Sequence, residues 1–197
     1  MEKLPNYIVG IGGSAGGLIA YKELLDFLPS DTGMAFVIVT HMPAGGNSQL
    51  VEILSKRTTM SVMVASTQLA IRANQVYVST PNTDLLIVNY TFKVISPRTK
   101  SNVLIDYLLT SLAEAMGARA IGILLSGYDG DGTEGCKQIK AKGGITFAQD
   151  ATAEVSDMPR KAQAAGCIDF VLPPSKIAKA LARIASAPKK ADVSQKP

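Results

Sequence analysis

Apolar runs of five or six residues recur along this chain, each closing on glycine or a small polar residue and most followed by a stretch with helical spacing. Tyr7-Ile8-Val9-Gly10-Ile11 runs into Gly12-Gly13-Ser14, Ala35-Phe36-Val37-Ile38-Val39-Thr40 into His41, and Ala120-Ile121-Gly122-Ile123-Leu124-Leu125 into Ser126-Gly127. Continuous apolar character, without alternation, is what a strand buried on both faces of a parallel sheet requires. Leu18, Ile19, Leu24, Leu25 and Leu28 before Pro29 predict a helix with one apolar face. Asn102–Met116 predicts another, with Leu104, Leu108, Leu112 and Met116 toward the core. Further strands are expected over Gly144–Ala148 and Asp169–Leu172, and helices from Thr133, from about Met158 and from about Ser175. This alternation predicts an α/β fold, a doubly wound and mostly parallel sheet. One stretch departs from it. Val76–Ser79, Leu85–Val88 and Phe92–Ile95, separated by Pro81-Asn82 and Asn89-Tyr90, predict a small antiparallel section at one sheet edge, an insertion and not a second domain.

Composition narrows the setting. A chain of 197 residues accommodates one such domain, expected over 1–186, with 187–197 as a flexible tail or linker carrying Pro188, Lys189, Lys190, Lys196 and Pro197. No apolar run approaches the roughly 18 residues of a membrane span, and no charged segment precedes a signal-peptide core, so a cytoplasmic protein without membrane insertion is expected. Cys136 and Cys167 lack C-x-x-C spacing and read as reduced structural thiols, not as a disulfide framework or a zinc site. The net charge of +4 is scattered, and aromatic residues make up only 6% of the chain, which disfavours nucleic acid as a partner.

The first turn holds the candidate chemistry. Gly12-x-Ser14-x-Gly16 has the spacing of a nucleophile elbow, in which small neighbours allow a sharp strand-to-helix turn and expose the serine hydroxyl near a helix N-terminus that favours negative charge. Gly10-x-Gly12-x-x-Ala15 equally satisfies a dinucleotide fingerprint, and a glycine-rich turn is often only a tight connection. The dinucleotide reading wants an acid at the end of the second strand, where this chain has His41. Asp31 precedes that strand and lies at the wrong end of the sheet. His41 is the only histidine, so a histidine general base is this residue or none. Parallel strands ending at Ser14 and His41 would bring both to the carboxyl edge of one sheet, where open α/β proteins place their sites. A third, orienting group is expected in the loop Ser126–Gly135, which offers Asp129 and Asp131. That loop also reads as a solvated turn with an aspartate cap. As a calcium loop it fails, because its glycine is misplaced and no acid stands at the twelfth position. The order Ser, His, Asp excludes the α/β-hydrolase, chymotrypsin and subtilisin arrangements.

Taken in order, Gly12–Gly17, His41-Met42-Pro43, Leu125–Gly132, Ala141–Asp150, Met158-Pro159-Arg160 and Asp169–Pro174 resemble the catalytic domain of the bacterial chemotaxis protein-glutamate methylesterase family, over most of the chain. The resemblance implies a serine hydrolase acting on glutamate methyl esters of methyl-accepting chemotaxis receptors, with deamidation of receptor glutamines as a second activity, no cofactor and no metal. Matched position by position, it makes Ser14 the nucleophile, His41 the base and Asp131 the orienting carboxylate. Asp129 stands where the family usually has glycine. Ala15, in place of a frequent threonine, Tyr128, in place of a frequent methionine, and Met158 are expected at the oxyanion site or pocket. Many members carry an N-terminal receiver domain; this chain starts six residues before its first strand, so regulation by such a domain in cis is not expected. Dinucleotide binding, or receptor binding without catalysis, stands as the alternative.

Overall fold

A computed structural model describes residues 3–41 and 46–187. Met42 and Pro43 of the His-Met-Pro motif, and the tail from Pro188, lie outside the described residues. In chain order the elements are β1 (Ile8–Gly13), α1 (Gly17–Asp26), β2 (Ala35–Thr40), α2 (Gly46–Ser55), β3 (Ser61–Val64), β4 (Gln75–Val78), β5 (Asp84–Val88), β6 (Thr91–Ile95), α3 (Leu104–Met116), β7 (Ala120–Leu124), α4 (Thr133–Ala141), β8 (Ile145–Gln149), α5 (Asp157–Ala164), β9 (Phe170–Leu172) and α6 (Pro174–Ser186). Seven strands form one sheet in the order β3-β4-β2-β1-β7-β8-β9, every pairing parallel. Helices cover both faces of this sheet. Val9, Ile11, Phe36, Ile38, Ile121 and Ile123 point into a core closed by α1, α2 and α6. Ile8, Val37, Val39 and Leu124 point into a second core closed by α3, α4 and α5.

The chain builds outward from β1 through β2 to β4 and β3, then returns to the other side of β1 as β7. β1 and β7 therefore flank the point where the strand order reverses, and the turns that leave their carboxyl ends must diverge to opposite faces of the sheet. Gly10 and Gly12 serve packing at this junction. A Cβ on Gly10 would come within 2.6 Å of Leu109 Cδ2 and one on Gly12 would run into Ile105, so the glycines admit α3 close against β1. That use of the Gly-x-Gly pair needs no phosphate.

Two expectations are corrected. Val76–Val78 lies in the main sheet as β4, parallel to both β2 and β3, while the antiparallel pair is β5 with β6 alone, a separate two-stranded sheet resting on α3 through Leu85, Ile87 and Phe92. A four-residue strand carries no sequence mark of its partner; β3 supplies it from Ser61–Val64, which the periodicity did not single out. On α1, Gly17, Ala20, Tyr21, Leu24 and Leu25 are buried, whereas Leu18 and Ile19 are 40% and 63% exposed. The stripe that meets the sheet and α6 is the 17/20/21/24 row, and it leaves Ile19 on the outer side. On α3 the expected face Leu104, Leu108, Leu112 and Met116 is buried, joined by Ile105 and Leu109.

Candidate active site

Ser14 follows β1 directly and is half-buried. Its turn is held entirely by backbone and by one neighbouring hydroxyl. The Ser14 N–H donates to the Ser126 carbonyl at 2.9 Å, and the Gly17 N–H donates to the Ser14 carbonyl at 2.9 Å. Buried Ser126 donates its Oγ–H to the Ala15 carbonyl at 2.7 Å and accepts the Val155 N–H at 2.9 Å. Gly16 sits in the left-handed region at φ 73°, and a Cβ there would come within 2.5 Å of Ser126 Oγ, so only glycine turns the chain into α1 at this place. The Ser14 hydroxyl itself makes no hydrogen bond among the described residues. The backbone of the turn is held, and among the described residues its side chain is not.

His41 leaves the end of β2, one strand over. Its Nε2 lies 3.0 Å from Oδ2 of Asp131, which stands in the turn after β7 on the far side of β1. The pair thus crosses the carboxyl end of the strand that carries Ser14. The Asp131 side chain is fully buried, and the His41 side chain is 20% exposed. Placing an ionised carboxylate out of water costs several kcal/mol unless its oxygens are satisfied. Here they are: besides the imidazole, Oδ2 accepts the Ile105 N–H at 3.2 Å and Oδ1 accepts the Asp106 N–H at 2.9 Å. Both donors belong to the first turn of α3, whose preceding residue, Val103, has no capping side chain. Asp131 is therefore the cap of a helix remote in sequence, bound by the positive end of its dipole. With Nε2 directed at Asp131, Nδ1 is the ring nitrogen left to accept a proton. No hydrogen bond joins Ser14 Oγ to His41 among the described residues.

The remaining expected residues divide. Ala15 is half-buried in the turn, and its N–H has no acceptor among the described residues. Tyr128 is 61% exposed on the loop beside Gly127. Met158 is fully buried, donates its N–H to the Gly127 carbonyl, and lies behind Gly127, where a Cβ would meet Met158 Cε at 2.7 Å and Ser14 Cβ at 3.2 Å. It packs under the Gly127 turn beside Ser14. Asp129 has φ 60°, a conformation glycine adopts freely, and its Oδ1 accepts the Asp131 N–H at 2.9 Å. It shapes the loop without touching His41. Cys136 and Cys167 are free and buried in the core on the α3–α4 side. One residue of consequence escaped the sequence reading, Asp106, whose carboxylate accepts the Gly135 N–H on α4; Ser126 stood there as a member of the Leu125–Gly132 motif, without a role. No helix among the described residues is long and apolar enough to cross a membrane.

The same chain path recurs in known proteins. The CheB methylesterase family model matches residues 9–181. A Leptospira interrogans protein provisionally named protein-glutamate methylesterase/protein-glutamine glutaminase is 36% identical over 178 residues, covering 88% of this chain and 92% of that protein. The protein-glutamate methylesterase/protein-glutamine glutaminase 1 of Geobacter sulfurreducens is 31% identical over 90% of this chain, which spans about half (52%) of its length. The crystal structure of the Thermotoga maritima CheB methylesterase catalytic domain superposes with a TM-score of 0.83 at 28% identity, covering 90% of this chain and 98% of that one. A family match over nearly the whole described chain, on the same α/β frame, leaves one assignment: the chain belongs to the CheB methylesterase family, a family of carboxylic ester hydrolases.

Proposed function

We propose that this chain hydrolyses glutamate γ-methyl esters on the signalling helices of chemotaxis receptors in the bacterial cytoplasm, with Ser14 as nucleophile, His41 as base and Asp131 as the carboxylate that orients it. The observation that carries this reading is the 3.0 Å pair of His41 Nε2 and Asp131 Oδ2, reaching across the end of the strand that presents Ser14. Nδ1 of His41 takes the proton of Ser14 Oγ as the oxygen attacks the ester carbonyl carbon. Negative charge passes to the carbonyl oxygen, for which the unengaged Ala15 N–H at the start of α1 is the candidate donor. The imidazolium is stabilised through Nε2 by Asp131 and returns its proton to the methoxy oxygen. Methanol leaves, and a water activated by the same nitrogen hydrolyses the acyl-serine. A glutamine side chain entering this cycle would give the same acyl-serine with ammonia as leaving group, in keeping with the glutaminase in the names of the Leptospira and Geobacter relatives.

Intact mass of a methylated receptor fragment tests the reading. Incubation with the protein is expected to remove about 14 mass units per ester, and the Ser14→Ala protein is expected to remove none. Equal demethylation by both would end it.

A further inference from the structure

The turns around Asp131 and the first turn of α3 are tied in both directions. Asp131, two residues before α4, accepts the N–H groups of Ile105 and Asp106 at the start of α3. In return Asp106, the third residue of α3, accepts the Gly135 N–H, the third residue of α4, at 2.9 Å through Oδ1. Neither helix has a capping side chain at its own N-cap, where Val103 and Gly132 stand. The start of α3 is capped by Asp131 from the turn that leads into α4, and the start of α4 by Asp106 from α3. Gly135 makes the exchange possible, because a Cβ there would lie 3.2 Å from the Asp106 carbonyl and would collide with Leu109. The Asp106 carboxyl is half-buried; desolvation, opposed by the backbone N–H groups of Gly135, Gly132 and Glu134 and reinforced by the charge of Asp131, holds it above the usual carboxylate range.

We propose that Asp106 is a positioning residue for the reaction: by holding the first turn of α4 against the first turn of α3, it sets the place of Asp131, and hence the direction in which Asp131 aims His41. Asp106 touches neither His41 nor Ser14 and acts only through Asp131. The inference rests on the roles proposed above for Ser14, His41 and Asp131. It separates two things that a carboxylate in this loop could supply, since Asp106→Asn keeps the Oδ1 acceptor for Gly135 and removes the charge, whereas Asp106→Ala removes both.

The test is a cycle of four full-length proteins, the unmodified chain, Asp106→Ala, Asp131→Asn and the double variant, with methanol release from a methyl-esterified receptor fragment as readout and thermal unfolding alongside. Asp106→Ala is expected to lower kcat by about 10–100-fold with KM within about twofold, as loss of an orienting partner does at other sites. In the Asp131→Asn background the same substitution is expected to lower kcat by less than about twofold, because the residue through which it acts is already disabled. Asp106→Asn is expected to retain kcat within about threefold. A merely structural residue would impose the same factor in both backgrounds, and that result would overturn the proposal. So would full activity of Asp106→Ala beside a crippled Asp131→Asn, an outcome that leaves the roles of Ser14, His41 and Asp131 standing. Full activity of Asp131→Asn would instead overturn those roles and the inference with them. Should Asp106→Ala fail to fold, Asp106→Glu takes its place in the cycle, keeping the charge but placing it one methylene beyond the Gly135 N–H, with the same non-additivity expected and the same additivity fatal.

Discussion

The turn after β1 and the turn after β7 begin from the same plan. Each leaves a buried parallel strand at the carboxyl edge of the sheet, and each passes through a left-handed glycine, Gly16 at φ 73° and Gly132 at φ 94°, into a helix whose own N-cap residue offers no side chain. They diverge in what is held. In the first, the backbone is pinned by Ser126 and the Ser14 hydroxyl has no hydrogen-bond partner among the described residues. In the second, the side chain is seized: both oxygens of Asp131 are occupied by His41 and by two N–H groups of α3. A nucleophile needs a fixed position and an unengaged oxygen, whereas a carboxylate that orients an imidazole needs its oxygens fixed. The hydrogen-bond partners of the two turns follow that division.

The largest expected effect removes the free oxygen. Ser14→Ala is expected to lower kcat by more than about 10³-fold while leaving the unfolding temperature unchanged, because Ser14 Oγ supports no hydrogen bond among the described residues. A parallel fall in thermal stability would show that the first turn, like the second, depends on its side chain. Next is Asp131→Asn, expected to cost about 10²–10⁴ in kcat through the wrong imidazole tautomer. Here stability should fall too, by about 1–3 kcal/mol in chemical denaturation, since a charged cap of α3 is lost. Ser126→Ala strikes the pin of the first turn. It strands the Ala15 carbonyl and the Val155 N–H and should cost about 1–3 kcal/mol of stability with roughly tenfold in kcat. An unchanged kcat would show that the position of the Ser14 turn tolerates slack. Smallest is Asp129→Asn, expected below about tenfold in kcat because the amide oxygen still accepts the Asp131 N–H. If it cost as much as Asp131→Asn, the second turn would work through its overall field and not through one seized carboxylate.

Local pattern was enough to read most of the frame. Continuous apolar runs are buried on both faces, and that property is written into the residues themselves, so β1, β2, β7 and β8 were legible, as was the core face of α3. Ser14, His41 and the loop after β7 could be brought to one place for a related reason: in a parallel sheet every strand end falls on one edge, so naming the strands gathers the residues that follow them, while the choice of Asp131 over Asp129 came from the family resemblance. Three things depended on partners distant in sequence. The placing of Val76–Val78 in the main sheet was decided by β2 and β3, since a strand of four residues offers hydrogen bonds equally to either kind of neighbour. The outward position of Ile19 was decided by which row of α1 met the sheet and α6. Above all, the work given to Ser126, Asp106 and Asp129 was decided by where unsatisfied N–H and C=O groups came to lie after the helices packed. The sequence could name Ser126 and Asp129 as members of a loop but not what they bond, and it left Asp106 unmarked; only the tertiary fold brings the three residues the donors and acceptors that define them.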